Sequence, residues 1–157
     1  MQHLARWDEK LILFAATGFG LGRIPVAPGT FGTLSALPLI WILSQSGPAL
    51  GTFLLTGFIL LSVYVADRAA SLMGKKDPGS VVIDEMAGYC VAMSLVPVGV
   101  STLIAGFLAF RFFDILKPGP VKYFEKYSGG AGIILDDIMA GLLAALVVKC
   151  LHLWGLI

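Results

Sequence analysis

The hydrophobic positions of the chain fall into five runs separated by short polar or glycine-rich segments. The runs cover residues 34–43, 49–66, 81–96, 101–116 and 133–154. A helix that spans a bilayer needs about 20 apolar residues, with about 17 as the lower limit. Only the second and fifth runs satisfy that length cleanly. The first run is too short and contains Pro38, which predicts a half-helix or a re-entrant segment.

The remaining pattern predicts a helical hairpin and an N-terminal interfacial helix. The third and fourth runs are marginal in length and meet at the tight turn Pro97-Val98-Gly99. Residues 1–17 mix charged and large apolar side chains, as a short amphipathic helix at a membrane surface does. Residues 18–33 are rich in glycine and proline and predict an ordered loop. The expected fold is all-α: a single domain over residues 1–157, a small polytopic membrane bundle with about four to five apolar helices.

Composition supports an integral membrane protein. The chain is 57% hydrophobic and 13% charged, whereas a soluble domain carries about 25% charged residues. No basic run supports nucleic-acid binding. Cys90 and Cys150 lie inside apolar runs and are expected to be small buried side chains rather than a disulfide or a metal site. Charged residues among the first ten positions argue against a signal peptide.

The distribution of charge predicts which membrane face carries the function. If each run crosses once, ten of the eleven Lys and Arg residues fall on one face, and Lys149 is the exception. Because cytoplasmic loops carry an excess of Lys and Arg, that face is expected in the cytoplasm. All ten acidic residues fall on the same face. Topology alone is therefore expected to bring three separate acidic segments to one membrane surface.

The three acidic segments form the candidate site. Asp84 and Glu85 start the third run, Asp114 ends the fourth, and Asp136 and Asp137 start the fifth. Carboxylates so close to hydrocarbon are energetically costly, and they therefore indicate a functional site. An all-oxygen set without nearby His or Cys suits a hard cation such as Mg²⁺. Since neighbouring helical residues point about 100° apart, one acid of each pair is expected to ligate while the other hydrogen-bonds, caps or positions water.

Each of these residues also has a simpler explanation. Any one acid is as readily explained as an N-cap that complements the helix dipole. Arg111 and Lys117 are each three residues from Asp114 and could form a plain ion-pair ladder. The convergence of five acids with these two cations nevertheless favours a functional site.

For two further features, a structural role is preferred over a binding role. The segment 29–33 predicts a glycine-rich lead into a helix, which favours an anion. Ordinary capping by Thr30 or Thr33 explains it as well. Gly88 and Gly141 follow the acids at helical spacing and are expected to allow close helix packing.

Four blocks of the sequence resemble the bacterial phosphatidylglycerophosphatase A family. They are GFGLGRIPVAPGTFGT (18–33), DEMAG (84–88), FRFFDILKPGPVKYFE (110–125) and GGAGIILDDIMAG (129–141). The third and fourth blocks are long and distinctive, whereas DEMAG alone is weak. The resemblance implies a Mg²⁺-dependent phosphatase of the bacterial inner membrane. Its reaction would convert phosphatidylglycerophosphate to phosphatidylglycerol and inorganic phosphate in phospholipid biosynthesis.

The resemblance also implies a role for each site residue. The expected catalytic acids are Asp84, Glu85, Asp114, Asp136 and Asp137, and all but Asp136 are expected metal ligands. Arg111 and Lys117 would hold phosphate, and Thr30 and Thr33 would assist with hydroxyl or backbone N–H groups. The expected reaction is in-line attack by water on a phosphate held by Mg²⁺, with a covalent aspartyl intermediate as the alternative.

Other function classes predict different behaviour. A membrane transporter or channel for cations such as Mg²⁺ is the main alternative, because carboxylates within a membrane often mark ion paths. Transporter sites usually lie near the midplane between repeats, whereas these acids are expected at one face. A lipid-binding scaffold would leave the acids unexplained. The expected partners are a phospholipid substrate and membrane lipid, with no nucleic acid, and the sequence does not indicate an oligomeric state.

Overall fold

The computed structural model describes residues 2–124 and 129–157, with side chains described from residue 7 onward. The described residues form eight α-helices and one 3₁₀ turn, and they contain no strand. In chain order these are α1 (Gln2–Ala16), the 3₁₀ turn (Leu21–Arg23), α2 (Pro28–Ser35), α3 (Leu37–Gln45), α4 (Gly47–Met73), α5 (Ile83–Ala92), α6 (Val100–Leu116), α7 (Gly119–Phe124) and α8 (Gly129–Leu153). The all-α prediction is confirmed.

Two helices among the described residues are long and apolar enough to span a membrane, and they correspond to the second and fifth predicted runs. These are α4, with 27 residues, and α8, with 25. Each is roughly 40 Å long at about 1.5 Å per residue. Phe53, Leu60 and Leu61 of α4 are more than half exposed, as expected of side chains that face lipid. The helix ends at Gly74, whose left-handed conformation (φ 63°) suits glycine.

The centre of the bundle is the short helix α5, of which eight of the ten residues are buried. It packs between α8, α6, α4 and α2. Residues 81–96 were predicted to form one arm of a membrane hairpin, but α5 ends at Ala92. Ten residues make a helix of about 15 Å, which is too short for a hydrocarbon core of about 30 Å. The turn at 97–99 is followed by α6, where the Gly99 N–H donates to Thr102 Oγ1 at 2.9 Å.

Three other boundaries differ from the prediction. The segment 18–33 was predicted to be a loop, yet α2 begins within it at Pro28, a residue suited to the first turn of a helix. Ala36 divides the first apolar run between α2 and α3. Residues 119–124, predicted to be loop, form α7. Cys90 is buried as expected, but Cys150 is exposed on α8, so the prediction for Cys150 was wrong.

The start of α8 is fixed by a distant residue. Asp136 and Asp137 were predicted to begin the last helix, but α8 begins at Gly129 and both acids lie about two turns inside it. The backbone N–H of Gly130 donates to Asp67 Oδ1 of α4 at 2.9 Å, so a side chain of α4 caps the new helix. The explanation of Asp136 and Asp137 as N-caps is therefore wrong.

Candidate active site

The site begins where α5 and α8 cross at a pair of glycines. A Cβ on Gly88 would lie 2.7 Å from the backbone oxygen of Asp137, and a Cβ on Gly141 would collide with the Gly88 carbonyl. Each glycine lies four residues after an acid, so Asp84 and Asp137 are on the same helix faces as Gly88 and Gly141. The close crossing therefore sets the two acids opposite each other one turn away. The predicted packing role of Gly88 and Gly141 is confirmed.

Three carboxylates converge at this crossing. Asp84, Glu85 and Asp137 each offer an oxygen within 4.8 Å of the other two. Asp84 Oδ1, Glu85 Oε2 and Asp137 Oδ2 are buried and have no hydrogen-bond partner within the described part of the chain. Buried carboxylate oxygens without a partner are strongly unfavourable. A hard cation that takes oxygen ligands fits this donor set.

The electrostatics of the first turn of α5 agree with a cation site. Burial raises the pKa of Asp84 well above its usual value, and the adjacent carboxylate of Glu85 raises it further. Burial also raises the pKa of Glu85. Both carboxyl groups lie outside α4 and α8, the two helices long enough to span a membrane. Positive charge between them would relieve the repulsion and favour the ionised forms.

These acids open into a cavity of about 310 Å³ whose walls come from α2, α5, α6, α8 and the loop before α5. Its charged lining residues are Asp77, Asp84, Glu85, Arg111, Asp114, Lys117, Asp136 and Asp137. Seven of the nine predicted site residues thus line one cavity. The structure does not bring Thr30 and Thr33 to it.

Arg111 lies between two acids at the cavity wall. Its Nη1 is 2.7 Å from Asp114 Oδ2 and 4.0 Å from Glu85 Oε1. The shorter contact is an ion pair without hydrogen-bond alignment, because the buried Nη1 has no hydrogen-bond partner among the described residues. Asp114 lines the same cavity as the three converging carboxylates and contacts Arg111. The guanidinium keeps donor capacity for an anion in the cavity.

Asp136 and Asp137 make different contacts. Asp136 Oδ2 accepts from Lys117 Nζ at 2.7 Å, and its Oδ1 accepts from the Asp137 backbone N–H at 3.1 Å. Asp137 instead lies among the three converging carboxylates. Asp84 and Glu85 both lie there as well, so the division into one ligand and one hydrogen-bonding acid in each pair stays a prediction.

The first turn of α2 approaches the site closely at Gly29. A Cβ there would lie 2.5 Å from Glu85 Oε1 and 2.9 Å from Arg111 Nη1. Any larger residue at position 29 would require the ends of the Glu85 and Arg111 side chains to shift. The cavity wall also contains Ala27 at the N-cap of α2 and Lys117 at the C-cap of α6, both in the left-handed conformation, with φ of 50° and 44°. Such conformations cluster at functional sites.

Thr30 and Thr33 lie inside α2 rather than at its N-cap. Thr33 is fully buried, and its hydroxyl donates to the Gly29 carbonyl at 2.8 Å inside the helix. The N-cap of α2 is Ala27 and has no side-chain cap. The proposal that Thr30 or Thr33 caps this helix was therefore wrong, because both residues lie inside α2.

Sequence reasoning missed three residues of the site region: Gly29, Asp67 and Asp77. Asp67 is an isolated acid within the long apolar segment of α4, and that position could have marked it as a partner for another helix. Asp77 lies in the loop before α5 and lines the cavity. Asp77-Pro78-Gly79 has the composition of an ordinary turn. The sequence therefore did not distinguish Asp77 from a polar residue of a surface loop.

Comparison with known proteins identifies close relatives. A family profile described as Phosphatidylglycerophosphatase A matches residues 14–152. A Haemophilus influenzae protein named Phosphatidylglycerophosphatase A is 39% identical over 144 residues, which is 90% of this chain and 88% of that protein. The Escherichia coli protein of the same name is 35% identical over 144 residues, covering 90% of this chain and 84% of its own length.

A third relative carries a different name. It is a Bacteroides thetaiotaomicron protein provisionally named a phosphatidylinositol-3-phosphatase, 37% identical over 147 residues, with 88% of this chain and 91% of that protein covered. No solved structure matches the chain significantly.

Proposed function

Since the chain belongs to the phosphatidylglycerophosphatase A family and is a phosphoric monoester hydrolase, we propose that it hydrolyses phosphatidylglycerophosphate to phosphatidylglycerol and inorganic phosphate. We propose that the reaction depends on Mg²⁺ and takes place at the cytoplasmic face of the bacterial inner membrane. One observation carries this proposal: three carboxylates converge in a cavity that Arg111 also lines, and each has a buried oxygen without a hydrogen-bond partner among the described residues.

Asp84, Glu85 and Asp137 are the proposed metal ligands. Their converging oxygens form a donor set of carboxylates alone, which Mg²⁺ accepts and zinc sites rarely use. When bound, the ion would supply positive charge that offsets the charge of the phosphoryl oxygens during transfer. Without it, three carboxylates would repel an anionic headgroup.

Arg111 and Lys117 are the proposed phosphate ligands. Asp114 holds the Arg111 guanidinium at 2.7 Å, and Asp136 holds the Lys117 ammonium at the same distance. Each cation therefore has a fixed position at the cavity wall. The planar guanidinium suits two oxygens of one phosphate, and the ammonium acts as a point charge.

Asp114 is the proposed acceptor of the proton from the attacking water. It lines the cavity and is not among the three converging carboxylates. A carboxylate at that place can orient a water for in-line attack on phosphorus and take its proton. Asp136 acts through Lys117 and is proposed as a positioning residue.

The membrane placement rests on the distribution of apolar and charged surface. Trp7, Leu11 and Phe14 of α1 are about half exposed or more, which suits a helix at the lipid surface. The cavity lies at the charged end of α5, α6 and α8, and ten of the eleven basic residues fall on that side in the predicted topology. The excess of Lys and Arg favours the cytoplasm for that side.

The test uses the full chain purified in detergent and mixed micelles that contain phosphatidylglycerophosphate. Phosphate release is expected with Mg²⁺, with loss in excess EDTA and recovery on adding Mg²⁺ back. Phosphatidic acid and phosphatidylinositol 3-phosphate serve as competing substrates. A rise of the melting temperature on adding Mg²⁺ gives a readout of metal binding that is independent of turnover.

Two results would overturn the proposal. Turnover that persists in EDTA removes the metal from the reaction. Mg²⁺ flux into proteoliposomes without phosphate release favours the transporter hypothesis instead.

A further inference from the structure

We propose that a second, basic groove beside the active cavity binds the phosphodiester of the lipid headgroup, so that Arg23 and Lys75 select lipids that carry two phosphates. The proposal rests on the proposed function, because it assigns the second phosphate of the same substrate. Neither residue belongs to the acid cluster or to the predicted phosphate ligands.

The groove adjoins the active cavity directly. It has a volume of about 580 Å³ and lies between the 3₁₀ turn, the start of α2 and the loop that follows α4. Pro28 and Gly79 line both the groove and the active cavity. One bound molecule can therefore contact the two cavities across this shared wall.

The groove and the active cavity differ in charge. Arg23 and Lys75 line the groove, and none of its described lining residues is acidic. Within the described part of the chain, neither of these side chains forms a hydrogen bond or an ion pair. Arg111 and Lys117 of the active cavity are each held by an aspartate. The groove therefore has a net positive charge that the described protein does not neutralise.

The two basic residues stand on ordered backbone. A Cβ on Gly22 would collide with the Ser80 carbonyl and lie 2.8 Å from Val82 Cγ1, so the 3₁₀ turn packs directly on the loop before α5. The Val82 N–H donates to the Ala16 carbonyl at 2.8 Å and ties the end of α1, which leads into the 3₁₀ turn, to the same loop. On the other side, the Lys75 N–H donates to the Ala70 carbonyl at the end of α4.

Apolar residues next to Arg23 suggest where the lipid tails lie. Phe19, Leu21 and Val26 surround Arg23 in sequence and have 61%, 37% and 72% of their surface exposed. Exposed apolar side chains beside a basic residue are typical of a segment at the lipid–water boundary. The phosphate nearest the acyl chains is therefore the one expected at the groove.

The chemistry of the substrate matches this arrangement. Phosphatidylglycerophosphate has a phosphomonoester at the end of the headgroup and a phosphodiester on the acyl side, with a glycerol unit between them. The monoester would occupy the active cavity beside Arg111, and the diester would reach the groove. Phosphatidic acid has a monoester alone and could not use both cavities at once.

The test compares Arg23→Gln, Lys75→Gln and the double variant with Lys76→Gln, using the full chain in non-ionic mixed micelles. Lys76 is the neighbouring exposed lysine and does not line the groove, so it controls for general surface charge. The KM for phosphatidylglycerophosphate, kcat, and the inhibition constants of inorganic phosphate and phosphatidic acid are measured. Contacts of exposed charges are weak and roughly additive when they are independent, so we expect KM to rise about threefold in each single variant and about tenfold in the double variant.

The expected pattern is a higher KM in the groove variants, with kcat and both inhibition constants within about twofold of the parent. The Lys76→Gln variant keeps the parent KM. An equal rise in KM for Lys76→Gln would show a general charge effect and overturn the inference. A parallel rise in the inhibition constant of inorganic phosphate would place these cations in the active cavity and overturn it as well. Failure of the parent protein to release phosphate from phosphatidylglycerophosphate would instead overturn the proposed function.

Discussion

The two ends of α5 carry cavities that differ in size and in chemistry. The cavity at its C-terminal end is the larger, at about 570 Å³, and its lining within the described chain is uncharged. Its hydroxyl groups bond within their own helices or turns, as Ser94 Oγ does to the Val91 carbonyl at 2.7 Å. The cavity at the N-terminal end has about 310 Å³ and contains the carboxylates without partners. Unsatisfied charge, not volume, distinguishes the candidate active site.

The difference follows from how α5 meets its neighbours. At the N-terminal end, acids from α5 and α8 are forced together by the crossing of Gly88 and Gly141. At the C-terminal end, α5 gives way to a turn before α6, and apolar side chains such as Met93 and Val96 line the space. If this difference determines activity, substitutions at the charged N-terminal end of α5 should reduce turnover, and substitutions at its uncharged end should not.

The largest effect is expected from Asp137→Asn. Asparagine keeps the shape of the side chain but removes the charge that the proposed cation needs. Loss of one electrostatic contact to a transition state lowers the rate by roughly a hundredfold to a thousandfold, and we expect kcat/KM to fall at least that far. The measurement is phosphate release, together with the melting temperature with and without Mg²⁺.

The matched control for this variant is Asp8→Asn, which makes the same chemical change at an exposed position of α1. It should keep the activity and the Mg²⁺-dependent rise in melting temperature. If folded Asp137→Asn turns over like the parent, Asp137 does not belong to the site.

Gly88→Ala tests the helix crossing itself. The added Cβ would lie 2.5 Å from Phe110 Cε2 and 2.7 Å from the Asp137 carbonyl. Overpacking of this kind typically lowers stability by about 1–3 kcal/mol, and it should also separate Asp84 from Asp137. We therefore expect a lower melting temperature and a loss of kcat larger than the change in KM.

Gly57→Ala is the control for this substitution. Gly57 lies in α4, and a Cβ there would meet no atom within 4 Å. Since alanine is the better helix former, this variant should be at least as stable as the parent. Equal behaviour of Gly88→Ala and Gly57→Ala would show that the crossing does not depend on the missing Cβ.

The elements that the sequence predicted correctly are those set by local composition. The lengths of the second and fifth apolar runs identified α4 and α8. Asp84, Asp114 and Asp137 were expected in one place, and all three line one cavity. The crossing of the third run that this expectation assumed is not seen, because α5 is too short to span the hydrocarbon core. These inferences need only helix length and the sidedness of charge.

The elements that were missed depend on contacts between distant residues. The start of α8 is set by Asp67, which caps Gly130 from 63 positions earlier in the chain. Glycine and proline have low helix propensity and concealed α2 within residues 18–33. The close approach of Gly29 to Glu85 and Arg111 is likewise a contact between distant residues. The sequence can mark an acid such as Asp67 as a candidate partner for another helix, but it does not say which residue that acid contacts.

Asp67→Ala should have a moderate effect. It removes the carboxylate oxygen that accepts the Gly130 N–H at 2.9 Å, and loss of such a cap typically lowers stability by about 1 kcal/mol. Because Asp137 lies seven residues into α8 from Gly130, we also expect a smaller loss of kcat than in Asp137→Asn. Asp67→Asn retains an acceptor oxygen and should recover most of the melting temperature and rate. If the asparagine variant is as impaired as the alanine variant, the role of Asp67 is not capping.

The smallest effect is expected from Thr52→Val in the larger cavity. The Thr52 hydroxyl donates to the Pro48 carbonyl within α4 at 2.8 Å, and the side chain lines the cavity at the C-terminal end of α5. Valine keeps the shape, so the free energy of unfolding should change by no more than about 0.5 kcal/mol, and kcat/KM by less than about twofold. Titration of phosphate release against lipid concentration provides the measurement. A tenfold fall in kcat/KM without loss of stability would mean that the uncharged end of α5 contacts the substrate. The inference that function is confined to the charged end would then be wrong. An unchanged kcat/KM would support turnover that depends on the charged end of α5 and not on the uncharged cavity.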